Sequence, residues 1–279
     1  MNYIGCHLSA SLGYTGMVKT ALSIGADTFA YFTRNPRGSR AKDMDPEDVQ
    51  TACRLMKEHG FGPLVAHGAY TMNLSTADPE AREFAAGILC DDLKRMAMLP
   101  GNYYNFHPGS HVGQGSDRAI DYISAALRQA LAQNYPVTVL LETMAGKGTE
   151  VGRSFEELHR ILEAAGSSQL GVCLDTCHVF DGGYDLRDHL DQVLQEFDRI
   201  IGLDRLKALH VNDSKNGCGS HKDRHACIGQ GNLGLDAFRA MMNHPALSGL
   251  PMILETPNDL SGYGREIAML RSMADTKEM

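Results

Sequence analysis

No stretch of this sequence approaches the ~18 uninterrupted apolar residues that a membrane span needs, which excludes a transmembrane helix and a membrane partner. The opening Met1-Asn2-Tyr3-Ile4 lacks the basic segment of a secretory signal, so the expectation is a cytoplasmic protein, nucleoid-associated if bacterial. CxxC pairs are also missing, and seven cysteines is an odd number. Both facts argue against a disulfide framework and against a cysteine-rich zinc ribbon; reduced thiols in a cytosol fit better. There is no Pro/Ser-rich linker, no low-complexity tract and no sequence repeat, which points to one domain over residues 1–279. An excess of basic charge is absent too. The formal net charge of −8 speaks against a polyanionic partner, because phosphate binding is dominated by lysine and arginine. Tryptophan is missing altogether, whereas histidine occurs twelve times, and imidazole is both the commonest metal ligand and a frequent general base.

With 279 residues and 43% hydrophobic content, the chain can bury a large core, as one big domain or two small ones. Short apolar or β-branched runs alternate with longer amphipathic stretches. Tyr3 to His7 precedes 15–24, Asp27 to Thr33 precedes 45–58, Leu64 to His67 precedes 78–98, and Tyr103 to His107 precedes 116–133. The pattern continues with Val137 to Glu142 before 154–165, Leu170 to Asp175 before 186–200, Leu206 to His210 before 234–243, and Met252 to Glu255 before 262–274. Runs such as Val137-Thr138-Val139-Leu140-Leu141 suit strands buried on both faces, and eight strand-helix units in this length match a (β/α)8 TIM barrel. A doubly wound open sheet is the structural alternative. The long non-periodic segments 33–44, 108–115, 143–153, 176–185 and 211–232 all follow strands, where barrel enzymes carry function.

Seven of the eight runs end in His, Asp or Glu: His7, His67, His107, Glu142, Asp175, His210 and Glu255. In a parallel barrel a strand's last residue opens onto the C-terminal mouth, so these side chains should converge there. Crowded imidazoles and carboxylates would repel or desolvate one another unless cations sat among them. Any one of them alone is more often a hydrogen-bonded structural residue; seven together point to metal. His7, with no second ligand nearby, is expected to support the site without binding metal. Asp175-Thr176-Cys177-His178, read as a turn, and Asp223-Arg224-His225 add His178, Asp223 and His225. Setting His7 aside leaves nine nitrogen and oxygen donors, more than the three or four that one zinc ion takes, so several metals are implied. Cys173 and Cys177 read better as small buried packing residues.

The motifs Asn105-Phe106-His107-Pro108-Gly109-Ser110, Gly171-Val172-Cys173-Leu174-Asp175-Thr176-Cys177-His178 and Leu209-His210-Val211-Asn212-Asp213-Ser214-Lys215, followed by Asp223-Arg224-His225, resemble the endonuclease IV family. The resemblance runs collinearly from Tyr3-Ile4-Gly5 to Leu254-Glu255-Thr256. It implies a TIM barrel with three zinc ions: the first held by His67, His107 and Glu142, the second by Asp175, His210, Glu255 and the bridging Glu142, and the third by His178, Asp223 and His225. His and Asp at the third position suit manganese as well as zinc. The implied partner is double-stranded DNA containing abasic sites, with Arg37 and Tyr70 entering the duplex at the lesion. The implied reaction is hydrolysis of the phosphodiester 5′ to the abasic nucleotide, leaving a 3′ hydroxyl and a 5′ deoxyribose phosphate, with Glu142 as the catalytic residue. Three zinc ions would bring six positive charges and take the formal −8 to −2, concentrated where phosphate must sit. The loop Arg34-Asn35-Pro36-Arg37-Gly38-Ser39-Arg40 adds three arginines beside the mouth, or is simply solvated surface.

The sequence departs from the family pattern at Thr143-Met144, Gln230, Ser39 and Thr71, none of them ligand positions. Two other functions remain open on the residues: a metal-dependent sugar isomerase or epimerase, which would leave His178, Asp223 and His225 without a role, and a non-catalytic metal or DNA binding protein. Nothing in the sequence points to a protein partner.

Overall fold

The computed structural model describes residues 2–274. In chain order it runs β1 (Tyr3–Cys6), α1 (Gly13–Ser23), β2 (Ala30–Phe32), α2 (Pro46–Glu58), β3 (Val65–His67), α3 (Pro79–Met96), β4 (Tyr103–Phe106), α4 (Ser116–Leu131), β5 (Thr138–Glu142), α5 (Phe155–Ala165), β6 (Leu170–Asp175), α6 (Thr176–Asp181) and α7 (Leu190–Ile200). There follow β7 (Leu206–His210), β8 (Asp213–Ser214), β9 (His225–Ala226), α8 (Gly234–Asn243), β10 (Pro251–Leu254) and α9 (Leu260–Met273).

Eight strands pair in parallel in the order β1-β10-β7-β6-β5-β4-β3-β2. The two ends of that order meet: His7 forms a parallel bridge with Ala30, and the Leu8 amide donates to the Ala30 carbonyl at 2.8 Å. The sheet is therefore a nearly closed barrel, the TIM fold expected from the alternation, because an open doubly wound sheet would leave those edges apart. β1, β4 and β10 each stop one residue short of the expected His7, His107 and Glu255, which lie just above the ladder.

Helix starts follow from local chemistry. Asp45 and Asp78 precede Pro46 and Pro79 and accept the amides of Glu47 and Glu80, while Ser154 and Asp259 accept those of Glu157 and Gly262. Each cap satisfies an amide left without an intrahelical partner, and proline at the first position loses no helical bond. The six-residue helix α6, within the segment read as a loop, was not expected, since six residues are too few to show a helical period. Asp175 caps it, accepting the His178 amide at 2.8 Å.

Strand alternation divides the interior into two layers. Ile4, Ala66, Tyr104, Val139, Leu141, Val172, Leu174, Leu209, Met252 and Leu254 pack into the large cluster between sheet and helices. Ala30, Val65, Leu140, Cys173, Ala208 and Ile253, with Tyr103 against them, form a separate small cluster. That second set fills the barrel. His67, Glu142, Asp175, His210 and Glu255 each lie two residues beyond one of its members, and so share its inward face.

Candidate metal centre

Glu142 is the hub of the mouth and is fully buried. Its Oε2 lies 3.1 Å from His67 Nε2 and 3.4 Å from His107 Nε2; its Oε1 lies 3.2 Å from His210 Nδ1 and 3.4 Å from His178 Nδ1. One carboxylate thus presents a separate oxygen to each of two neighbouring donor groups. Around it the expected residues fall into three sets, His67–His107–Glu142, Glu142–Asp175–His210–Glu255 and His178–Asp223–His225, with the donor atoms of each set within 4.8 Å of one another. In the third set Asp223 Oδ1 lies 3.1 Å from His178 Nε2 and 3.6 Å from His225 Nε2.

Hydrogen bonds on the far side of the rings fix where the lone pairs point. His67, His178 and His225 each have Nδ1 against a backbone carbonyl, of Gly68 (2.7 Å), Thr143 (2.9 Å) and Glu255 (3.2 Å). A carbonyl can only accept, so these Nδ1 atoms carry the proton and a neutral ring turns its Nε2 lone pair toward the carboxylates. His225 Nε2 is buried without any hydrogen-bond partner, 3.9 Å from Asp175 Oδ2. A lone pair facing a carboxylate oxygen needs a proton or a metal ion between them, so the residues fit metal ions, and the nitrogen and oxygen donor set suits zinc.

A further grouping of Asp175, Cys177 and His225 is equally compact. Burial pushes the Cys177 thiol well up, and pushes Cys173 to about 11, so neither is a thiolate near neutrality. The His7 ring packs at a tilt, 4.3 Å from that of Phe32 and 6.3 Å from that of His67; burial pushes it down to about 4, and it stands neutral beside the first set.

Charge at the mouth is balanced internally when no metal is bound. Burial opposes ionisation of Glu142, yet His210 and His107 hold its carboxyl well below the usual range. Burial likewise opposes charge on His178 and His210, but Asp175 and Asp223 carry His178 well above 6.5, and Cys173, Glu255 and Glu142 do the same for His210. A histidine whose folded value exceeds its unfolded one gives stability that is complete below the unfolded value and is lost as pH rises through the folded value. Chelator-treated protein should therefore melt at a lower temperature at pH 8.5 than at pH 6.5. Metal-loaded protein should show the opposite trend, because ligands must shed protons to bind metal. Thermal melts at the two pH values, with and without chelator, check both signs.

The loop after β2 is placed differently from expectation in one respect. Arg34 is buried, not a free cation at the mouth: it donates to Asp92 at 2.6 and 3.0 Å, to Asp91 at 2.7 Å and to the Ser39 carbonyl at 2.6 Å. It is spent on holding the loop's shape. Arg37 and Arg40 remain exposed. Tyr70 is 58% exposed, and its loop is stitched to theirs by the Tyr70 amide on the Pro36 carbonyl at 3.0 Å. Its ring lies 5.7 Å from that of His107, so Arg37 and Tyr70 share one rim of the mouth.

Three buried polar residues were given no role from the sequence, although Thr143 was noted as a departure from the family pattern and Asn105 and Asn212 stand in its motifs. Asn105 points its amide at Glu142 Oε2; Asn212 donates to Asp175 Oδ2 at 2.7 Å and accepts the Glu255 amide at 2.9 Å; the Thr143 hydroxyl accepts the Asp175 amide at 2.9 Å. A polar residue at an inward position of an apolar strand was the available signal for Asn105.

A barrel with donors massed at the C-terminal mouth defines a class, and residues 18–273 match the family model described as a xylose isomerase-like TIM barrel. A protein named "Probable endonuclease 4" from Clostridium botulinum is 57% identical over 270 residues, covering 96% of this chain and 98% of its own. The solved structure of endonuclease IV from Thermus thermophilus superposes with a TM-score of 0.85 at 36% identity, covering 97% of this chain and 98% of that one. The chain belongs to the endonuclease IV family and is an endonuclease. A D-psicose 3-epimerase from Clostridium cellulolyticum shares the fold alone, with a TM-score of 0.66 at 15% identity over 99% of this chain and 93% of its own. No helix among the described residues is long and apolar enough to cross a membrane.

Proposed function

We propose that this endonuclease hydrolyses the phosphodiester 5′ to an abasic site in duplex DNA, leaving a 3′ hydroxyl and a 5′ deoxyribose phosphate, with three zinc ions bound at the three donor sets. The observation that carries the reading is Glu142, whose two oxygens serve different sets while a third set stands beside them. When bound, zinc lowers the pKa of water from about 15.7 to roughly 7 and brings positive charge to the phosphate oxygens.

The chain's own residues then have distinct tasks. Glu142 joins the first two sets, with Asn105 fixing the rotation of its carboxylate. Asn212 and Thr143 aim Asp175, and the backbone carbonyls behind His67, His178 and His225 keep their Nε2 atoms facing inward. Arg37 and Tyr70, on the adjoining rim, would meet the duplex. An abasic nucleotide has no base to unstack or unpair, so turning it toward the mouth costs less than turning an intact nucleotide, which gives a physical basis for selectivity. The overall charge of −8 stops being an objection, since the positive potential is local to the bound ions.

The test is nicking of a duplex that carries one tetrahydrofuran abasic analogue. Zinc-loaded protein should cut at the analogue and spare the same duplex with an intact base, and chelation should abolish cutting until zinc is returned. Full activity in metal-free protein would overturn the mechanism. Binding of the abasic duplex without cleavage in added zinc would select a non-catalytic role.

A further inference from the structure

The third donor set is carried differently from the first two. His67, His107, Glu142, Asp175, His210 and Glu255 stand at or one residue beyond barrel strands, whose pairing fixes them. Asp223 instead belongs to the excursion between β8 and β9, and its φ of 54° lies in the left-handed region that a non-glycine residue enters only when held there.

What holds it is Asp181, the last residue of α6, with no exposed surface. Asp181 Oδ2 accepts the Asp223 amide at 2.8 Å and the Asn216 side-chain amide at 3.3 Å, while Oδ1 accepts the Ser214 hydroxyl at 2.6 Å. Its backbone carbonyl accepts the His221 amide at 2.9 Å. His178 lies three residues earlier on the same short helix, so a single turn of backbone presents one donor of the set and fixes the chain that presents another. Asp181 belongs to none of the compact donor groups, and the one donor-set residue its carboxylate bonds is Asp223.

We infer that Asp181 is the positioning residue of the third donor set, and that a metal there depends on it while metals at the other two sets do not. The inference rests on the reading of the three sets as metal sites. Three donors converge on its carboxylate, which can only accept. An asparagine has one acceptor oxygen, and its amide nitrogen would face a donor. With that nitrogen turned to the Ser214 hydroxyl, which can accept, the oxygen still takes the Asp223 amide, so asparagine can keep the tether and alanine is the substitution that removes it.

Zinc-loaded full-length chain, equilibrated against a chromogenic zinc chelator and assayed for ions per chain, tests this directly. Wild type should hold three ions. Asp181→Ala should hold two under the same conditions, the affinity of its most weakly held ion falling about 10–100-fold, as is usual when a ligand loses its supporting bond. Ser214→Ala removes the bond to Oδ1 and leaves the Asp223 tether, so it should still hold three. If Asp181→Ala fails to fold, Asp181→Glu, which keeps the charge but displaces the carboxylate, reads the same way: two ions support the inference and three overturn it. Three ions of unchanged affinity in Asp181→Ala would sink the role of Asp181 and leave the metal reading standing. Two or fewer ions in wild type would sink both. Loss of the third ion in Ser214→Ala would show that general packing, not the Asp223 tether, controls the set.

Discussion

Glu142→Gln should lower strand-cleavage turnover about 10³-fold or more, equivalent to roughly 4 kcal/mol of transition-state stabilisation. The substitution preserves volume but turns one oxygen into an NH2 group. The carboxylate now offers Oε2 to His67 and His107 and Oε1 to His210 and His178, so whichever oxygen is lost, one donor set loses its anion. A donor hydrogen would replace it where a cation should sit. The fold should survive, because the new NH2 can donate to an imidazole lone pair, and binding of the abasic duplex should be partly kept, since Arg37 and Tyr70 are untouched. Single-turnover nicking alongside zinc analysis separates the two effects. Wild-type turnover with a full zinc complement would remove Glu142 from the chemistry.

The largest effect on stability is expected at Asp92, which belongs to none of the donor sets. This carboxylate is fully buried and accepts two bonds from Arg34 and the Tyr104 hydroxyl at 2.7 Å. Asp92→Ala would leave the Arg34 guanidinium, itself only 5% exposed, without its buried partner. Removing one member of such a pair costs about 3–5 kcal/mol, because the surviving charge stays desolvated. Urea unfolding should show the midpoint falling at an unchanged slope. Replacing both members, as Arg34→Met with Asp92→Leu, should recover most of the loss, since no uncompensated charge then remains. The double variant should still bind DNA less well than wild type: Arg34 also holds the Ser39 carbonyl, and with it the loop that presents Arg37.

Much of this was legible in one dimension. The apolar run Val137 to Leu141 marks a strand covered on both faces, and eight such runs separated by amphipathic stretches leave few folds open. Asp45-Pro46 and Asp78-Pro79 mark where helices begin. Acidic and imidazole residues at the ends of strands marked the mouth, because strands end there whatever lies between them. Arg34 was illegible: a loop arginine looks the same in sequence whether it meets solvent or Asp92, which lies 58 positions away. So was α6, too short to display a period, and with it the role of Asp181.

The sequence by itself determined the alternation, hence the barrel, and the supply of nitrogen and oxygen donors at its strand ends, because side-chain parity and helix capping are local properties of a few neighbouring residues. The three sets and the shared Glu142 were implied by the family resemblance, not by the local pattern; only the tertiary structure decided that Asp223 is held by Asp181, 42 positions earlier, and that Asn105, Asn212 and Thr143 orient the carboxylates. Those relations join residues on different strands and loops, far apart in sequence, so no local pattern encodes them.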